Sequence, residues 1–405
     1  MKKLLLSTTA FVAVGALAGG ASAQSASEPI KMGIGGYWEG GGGAVLSQSA
    51  CNAPGATNAA CNKHHQGFQE DSLVDFNGST KLDNGLTVGV HIQLRGEAAK
   101  TTTDTEKRSY VQFKGNFGEI RFGDQDDARL TKALSAPQAG HIFGVNSPFL
   151  QFTNNPVGTQ TTNLPIDEKR AQRIAYFSPT IAGFSFGASY APDSRKGNIT
   201  GGTLPTDNDP GQNSQHWDVA LAYDNKFGDF RLQGFGAVSG THQEAPRTLA
   251  GFVVPVESPY AYDGGLQVAW GPFAIGGDYE LVRNHRASAV TAVNSGGGGL
   301  NDHVFDVGVL YTVGPFSVSG NFAHGTYKGF AGATGNVCTF ACSATSTLDQ
   351  EQLIFDYVLG PGISVGAALG FDQYRSGVNP AAFGSSATTN NYHDAVIQVG
   401  TALNF

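Results

Sequence analysis

The sequence predicts an all-β protein: a transmembrane antiparallel β-barrel of about sixteen strands, with short periplasmic turns and long extracellular loops. Three observations point there. Segments of about ten residues alternate apolar with small or polar residues. The links joining them alternate short and long. An export leader precedes a chain that is rich in glycine and poor in charge.

The leader comes first along the chain. Lys2 and Lys3 make a positive start, Leu4 to Leu17 an apolar stretch, and Ala21-Ser22-Ala23 a small-residue cleavage site before Gln24. Ser7, Thr8, Thr9 and Gly15 interrupt the apolar stretch and Gly19-Gly20 ends it, so it is too short to serve well as a spanning helix. Residues 1–23 are expected to be removed as a signal peptide, leaving one barrel domain over 24–405. Nothing downstream resembles an 18-residue apolar run, which excludes a helical membrane protein.

Composition narrows the class further. The chain is 40% hydrophobic but only 14% charged, and 56 of its 405 residues are glycine. Ordinary soluble domains carry about 25% charged residues and roughly half that glycine share. The formal net charge is −8, and loss of Lys2 and Lys3 makes it −10, which argues against nucleic acid as a partner. Gly40–Gly43 and Gly296–Gly299 are followed by no helix, so they read as flexible linker rather than as a phosphate loop. No cofactor is expected.

The four cysteines fall as Cys51/Cys61 and Cys338/Cys342. In an oxidising periplasm an even set reads as disulfides, with three possible connectivities. The local pairing Cys51–Cys61 and Cys338–Cys342 is preferred, because each pair sits inside one loop. Zinc at Cys61, His64 and His65 is the alternative, but the spacing fits no standard zinc pattern and no metal is expected there.

From residue 86 onward period-2 alternation is strong. Leu86, Val88, Val90, Ile92 and Leu94 oppose Thr87, Gly89, His91, Gln93 and Arg95. Phe273, Ile275, Gly277, Tyr279 and Leu281 repeat the pattern, as do Ile363, Val365, Ala367, Leu369 and Phe371. The last segment runs Ala395, Ile397, Val399, Thr401, Leu403 and Phe405. A soluble sandwich would alternate too, so the links decide.

Short links lie near Leu82–Gly85, Gly115–Gly118, Ser178–Gly183, Asp224–Asp229, Gly271-Pro272, Gly314-Pro315 and Gly360–Gly362. Long polar links occupy roughly 40–66, 97–107, 124–168, 191–214, 240–259, 285–301, 328–348 and 374–391. Seven short and eight long links connect sixteen strands, the even count of an outer-membrane barrel. In hydrocarbon every backbone N–H and C=O needs an internal partner, so such a sheet must close on itself. Sixteen strands leave a lumen too wide for side chains to fill, and water takes it. Tyr223, Phe227, Trp270, Phe273, Tyr311, Phe316, Tyr357 and Phe405 gather beside the short turns, as an interfacial girdle would.

Several runs carry a family resemblance. Gly78-Ser79-Thr80-Lys81-Leu82-Asp83-Asn84-Gly85-Leu86-Thr87-Val88-Gly89-Val90 resembles the hairpin of the second and third strands of general Gram-negative porins of α-proteobacterial type. Gly118-Glu119-Ile120-Arg121-Phe122-Gly123-Asp124-Gln125 is similar to their fifth strand entering the constriction loop. Arg170 through Ile174-Ala175-Tyr176-Phe177-Ser178-Pro179 resembles the sixth. Phe405 matches the terminal Phe that barrel-assembly machinery recognises.

The resemblance implies a homotrimer in outer-membrane lipid and lipopolysaccharide, passing small hydrophilic solutes, with the third extracellular loop folded into the pore. The longest link, 124–168, follows the fifth strand, where that loop belongs. Parity places Arg95, Lys114, Glu119, Arg121, Lys169 and Arg173 on the lumen wall, with Lys132 on the loop itself. Charges opposite a constriction loop set a transverse field in the family. The chain departs from it in one respect: no Asp or Glu lies between Leu130 and Ile166. Asp124, Asp126 and Asp127 at the loop's start could hold calcium, although capping and solvation is the preferred account.

Two other functions compete with a channel. A barrel hydrolase needs a lipid-facing Ser and His within reach of one another. Ser317, Ser319 and Ser364 fall on the polar face while His303 and His324 fall on the apolar one, and no triad emerges. A structural or adhesive barrel with a plugged lumen is the third reading.

Overall fold

In the computed structural model sixteen long strands form one closed antiparallel sheet. It describes residues 29–48, 64–96, 106–145, 170–193, 213–244, 247–249, 252–254, 258–288, 299–328, 333–334, 337–338, 345–375 and 391–405. The signal segment, Lys169, Cys51, Cys61 and Cys342 lie outside the described residues.

The strands are β1 (Lys31–Gln48), β2 (Gln66–Lys81), β3 (Thr87–Arg95), β4 (Glu106–Gly115), β5 (Gly118–Asp126), β6 (Arg170–Phe177), β7 (Phe184–Asp193) and β8 (Asn213–Phe227). They continue as β9 (Phe230–Gln243), β10 (Tyr260–Trp270), β11 (Phe273–Ser288), β12 (Gly299–Val313), β13 (Phe316–Lys328), β14 (Thr345–Gly360), β15 (Ile363–Arg375) and β16 (Asn391–Asn404). A five-residue helix α1 (Ala128–Lys132) follows β5. Small accessory strands Arg247–Leu249 and Phe252–Val254 pair in one long link, and Ala333–Thr334 with Val337–Cys338 in another.

Each strand pairs with its sequence neighbours, and β1 pairs with both β2 and β16, which closes the barrel. The seam is completed by Gly36 and Phe405, whose backbones exchange two hydrogen bonds of 3.0 and 3.1 Å. No backbone edge is left to face hydrocarbon. All seven expected short turns join strands at one end.

The glycine run Gly40–Gly43 differs from the linker reading. It lies inside β1, in register with Gly67–Glu70 of β2 and Gln398–Thr401 of β16. A Cβ at Gly41 would stand 2.2 Å from the Val399 carbonyl oxygen. Glycine here lets the closing strands approach, so local flexibility was the wrong inference from composition.

The alternation holds in three dimensions. Val90, Phe122, Leu221, Ile275, Val309, Phe355 and Val399 are exposed on the outer face, where lipid would cover them. Aromatic pairs cross neighbouring strands at the short-turn end: Phe273 with Tyr311 at 4.9 Å and Phe316 with Tyr357 at 4.6 Å between centroids. Asp218, Asp263, Glu280, Asp306 and Gln398 face inward and are buried. A charged group so buried demands a partner, and the partners come from the chain that follows β5.

Candidate functional site: the inward loop and its facing wall

The chain leaves β5 and turns into the barrel. Asp127 caps α1, its Oδ1 accepting from the Leu130 N–H at 2.6 Å. The Arg129 N–H donates to Asp218 Oδ1 of β8 at 2.8 Å. The Arg129 guanidinium, 2% exposed, reaches Glu280 Oε1 of β11 at 2.6 Å and Asp263 Oδ2 of β10 at 3.3 Å. Burial works against that charge, yet Glu280, Asp127 and Asp263 hold the proton on and raise the guanidinium pKa.

Beyond α1 the chain crosses the inner wall strand by strand. Leu134 packs against Ala220, Phe235 and Ala237 of β8 and β9. The Ala136 N–H donates to Asp306 Oδ1 of β12 at 3.0 Å, and the Ala139 N–H to Ser319 Oγ of β13 at 2.9 Å. Asn321 Nδ2 donates to the Pro137 carbonyl at 2.9 Å. Gly140, at φ +68°, lies against Asp356 of β14, whose carboxylate a Cβ there would meet at 2.4 Å. Ile142 and Phe143 pack with Ile354, Ala368 and Ala402 of β14, β15 and β16. Asp218, Asp263, Glu280 and Asp306 thus serve as acceptors and counter-ions that hold the loop.

The opposite wall keeps its charges. Arg95, Lys107, Arg108 and Arg170, on β3, β4 and β6, lie close enough to act on one another. Arg108 Nε donates to Asp126 Oδ2 at 2.9 Å, and Arg170 Nε stands 3.6 Å from Asp126 Oδ1. Arg121 Nε bonds Glu119 Oε1 at 2.5 Å, with its guanidinium over the Phe177 and Tyr110 rings. Lys132 donates to Ser185 Oγ at 2.8 Å; burial, then the facing Arg121 charge, pulls its ammonium below the usual lysine range. On the loop itself Thr131, Ala133, Ser135 and His141 are exposed, and no residue from 128 to 145 is a carboxylate.

The sequence-expected residues separate into groups. Arg95, Arg121 and Glu119 lie on β3 and β5, outside the stretch of wall that the described loop residues cover, and Lys132 on α1 faces Arg121. Lys114 sits beside the short turn, across from Thr87 and Glu119, one residue before β4 ends. Arg173 is only 2% exposed; its Nη1 donates to Ser189 Oγ at 3.0 Å and lies 3.7 Å from Asp218. It supports the loop root from the wall instead of facing water. Sequence reasoning missed Arg129 and Glu280 as a pair. Alternation with Tyr279 and Leu281 puts Glu280 on the inward face, and a lone Arg following three acids is the available signal.

This chain matches the Gram-negative porin family over residues 7–377. It is similar to the major outer membrane protein P.IB of Neisseria gonorrhoeae, 29% identical over 156 residues, covering 38% of this chain and 38% of that protein. The match thus spans well under half the length of that relative. Two solved structures share the fold. A porin refined at 1.8 Å superposes with a TM-score of 0.57 at 17% identity, over 93% of this chain and 100% of that one. An anion-selective porin from Comamonas acidovorans gives 0.56 at 15% identity, with the same coverage.

Proposed function

Because this chain belongs to the Gram-negative porin family, we propose that it is a homotrimeric outer-membrane channel for passive diffusion of ions and small hydrophilic solutes. The observation that carries this reading is the division of the lumen. An inward loop, pinned by the Arg129 ion pairs, covers the wall from β8 to β16. Strands β2 to β6 keep polar and charged groups facing the remaining passage. Such a passage admits water and hydrated solutes and restricts their size. A plug would bury the loop on both sides, whereas among the described loop residues Thr131, Ala133, Ser135 and His141 are exposed.

The passage is weakly ion-selective, with near balance or a slight anion preference. Arg95 and Arg121 supply its cationic side together with Arg108 and Arg170, and Lys132 adds charge from the loop. Lys169 belongs to the same set by parity. Among the acids on that wall, Asp75, Asp126 and Glu119 are engaged by Gln93, Arg108 and Arg121 respectively, and Asp71 accepts from the Tyr37 hydroxyl. The shared fold with a porin described as anion-selective agrees with this sign. Phe405, at the seam with Gly36, is the group offered to the barrel-assembly machinery. Outer-membrane lipid and lipopolysaccharide surround the aromatic and apolar outer face.

Liposome swelling tests the reading directly. Vesicles holding the purified trimer should swell in isosmotic sugars at rates that fall steeply with sugar size. Vesicles that swell no faster than protein-free ones would reject a diffusion channel.

A further inference from the structure

At the root of the inward loop three potential ligand atoms converge. Asp127 Oδ2 lies 3.7 Å from His216 Nε2, and Asp218 Oδ2 lies 3.9 Å from the same nitrogen. All three groups are buried, and their ligand atoms lie within 4.8 Å of one another. Each carboxylate is already oriented through its other oxygen: Asp127 Oδ1 accepts from the Leu130 N–H and Asp218 Oδ1 from the Arg129 N–H. Ser189 Oγ also donates to Asp218 Oδ2, the oxygen that faces His216. The imidazole is 4% exposed, and neither ring nitrogen has a hydrogen-bond partner. A buried imidazole aimed at two carboxylate oxygens, yet too far for hydrogen bonds, needs an explanation.

The spacing supplies one. Ligands bound to a common ion at about 2.0–2.2 Å in a tetrahedral arrangement stand roughly 3.3–3.6 Å apart. The two distances to Nε2, 3.7 and 3.9 Å, exceed that by a few tenths of an ångström, and the two carboxylate oxygens lie within 4.8 Å of each other. We propose that Asp127, His216 and Asp218 bind a transition-series divalent cation, zinc in the first instance, which fastens the root of the inward loop to strand β8. Hard cations fit less well. Calcium takes six to eight oxygens, whereas imidazole with two carboxylate oxygens suits zinc and its neighbours.

The charges nearby are compatible. Arg173 Nη1 is 3.7 Å from Asp218 Oδ2 and Arg129 Nε is 4.0 Å from Asp127 Oδ2, and both guanidiniums would repel a cation. Arg129 is turned to Asp263 and Glu280. The four carboxylates of the pocket, set against two guanidiniums, leave a formal excess of two negative charges, the complement of one divalent ion. Strand geometry contributes too: the β8–β9 register shifts between Ser214 and Trp217, and Gln215 adopts φ +51° immediately before His216. The bulge re-aims the imidazole at the loop root. The site joins loop to wall, so its occupant would set how firmly the loop is held, independently of which ions the pore prefers.

The test uses the full trimer in detergent, stripped with a chelator and titrated with zinc chloride. One zinc per chain is expected, with affinity falling by more than about 10–100-fold in His216→Ala, the loss seen when even a supporting group is removed. Loaded trimers should also melt at higher temperature than stripped ones. Should His216→Ala fail to yield a heat-resistant trimer, zinc-edge X-ray absorption of the wild-type protein decides. A light-atom shell with one imidazole supports the site, and two or more imidazoles would place the ion on surface histidines and overturn it. Absence of zinc binding, equal binding by His216→Ala, or displacement by equimolar calcium would likewise overturn it.

Discussion

Arg129 of the inward loop donates from Nη1 to Glu280 Oε1 of β11 at 2.6 Å, and both side chains are sealed from solvent, at 2% and 0% exposure. The two residues are 151 positions apart in the chain. This contact, with Asp263 beside it, makes the loop part of the barrel wall instead of a hanging segment.

Breaking that contact should be costly. Arg129→Met leaves Glu280 and Asp263 buried without their cation, a loss of about 3–5 kcal/mol. Urea unfolding of the refolded barrel should show the midpoint falling accordingly, and single-channel traces should become noisier as the loop loosens. A variant as stable and as quiet as wild type would show that the loop is held by its backbone contacts alone.

Barrel orientation makes a second prediction. Val90 is 41% exposed on the outer face, so Val90→Arg places a charge in lipid and should cost about 2–4 kcal/mol. Gln112, inward-facing across from Gly89, should accept Arg with a smaller loss. Gln93, an attractive control by parity alone, is a poor one because it accepts from Arg108 and donates to Asp75. Comparable destabilisation by Val90→Arg and Gln112→Arg in refolding titrations would show that inside and outside are misassigned.

Much of the barrel was legible because one rule governs each strand. Val90 and Gln112 could be assigned to faces from alternation, and Gly271-Pro272 or Gly314-Pro315 named as turns from composition. Gly40–Gly43 misled for the opposite reason. Four glycines carry no side-chain signal, so only their partners in β2 and β16 reveal a strand. The loop's anchors were illegible on different grounds. Asp218, Asp263, Glu280 and Asp306 could each be placed inward, but their height along the barrel depends on the shear between strands, which no local pattern records. Arg173 shows the consequence: the correct face, yet at the level of the loop root instead of the passage.

Trimer formation should be visible on gels. The outer face of β1 and β2 carries Met32, Ile34 and Phe68 at 72%, 71% and 95% exposure. A second barrel can approach such a surface closely. Unboiled protein should migrate as a trimer band that collapses on heating, and Ile34→Arg should weaken it. Monomers by light scattering in mild detergent would contradict this assembly.

The central claim, an open passage with a cationic wall and a loop whose residues 130–166 carry no carboxylate, is tested most directly by planar-bilayer recording in a KCl gradient. The account predicts large stepwise openings and a reversal potential near zero or slightly on the anion side. Ser135→Asp, which adds a carboxylate to the exposed loop face, should move the reversal potential toward cations, as should Arg95→Gln with Arg170→Gln. Charge in a narrow, poorly screened passage acts strongly on ions, whereas salt screens it within about 8–10 Å elsewhere. A strongly cation-selective wild-type channel, or reversal potentials that none of these substitutions shift, would contradict the account.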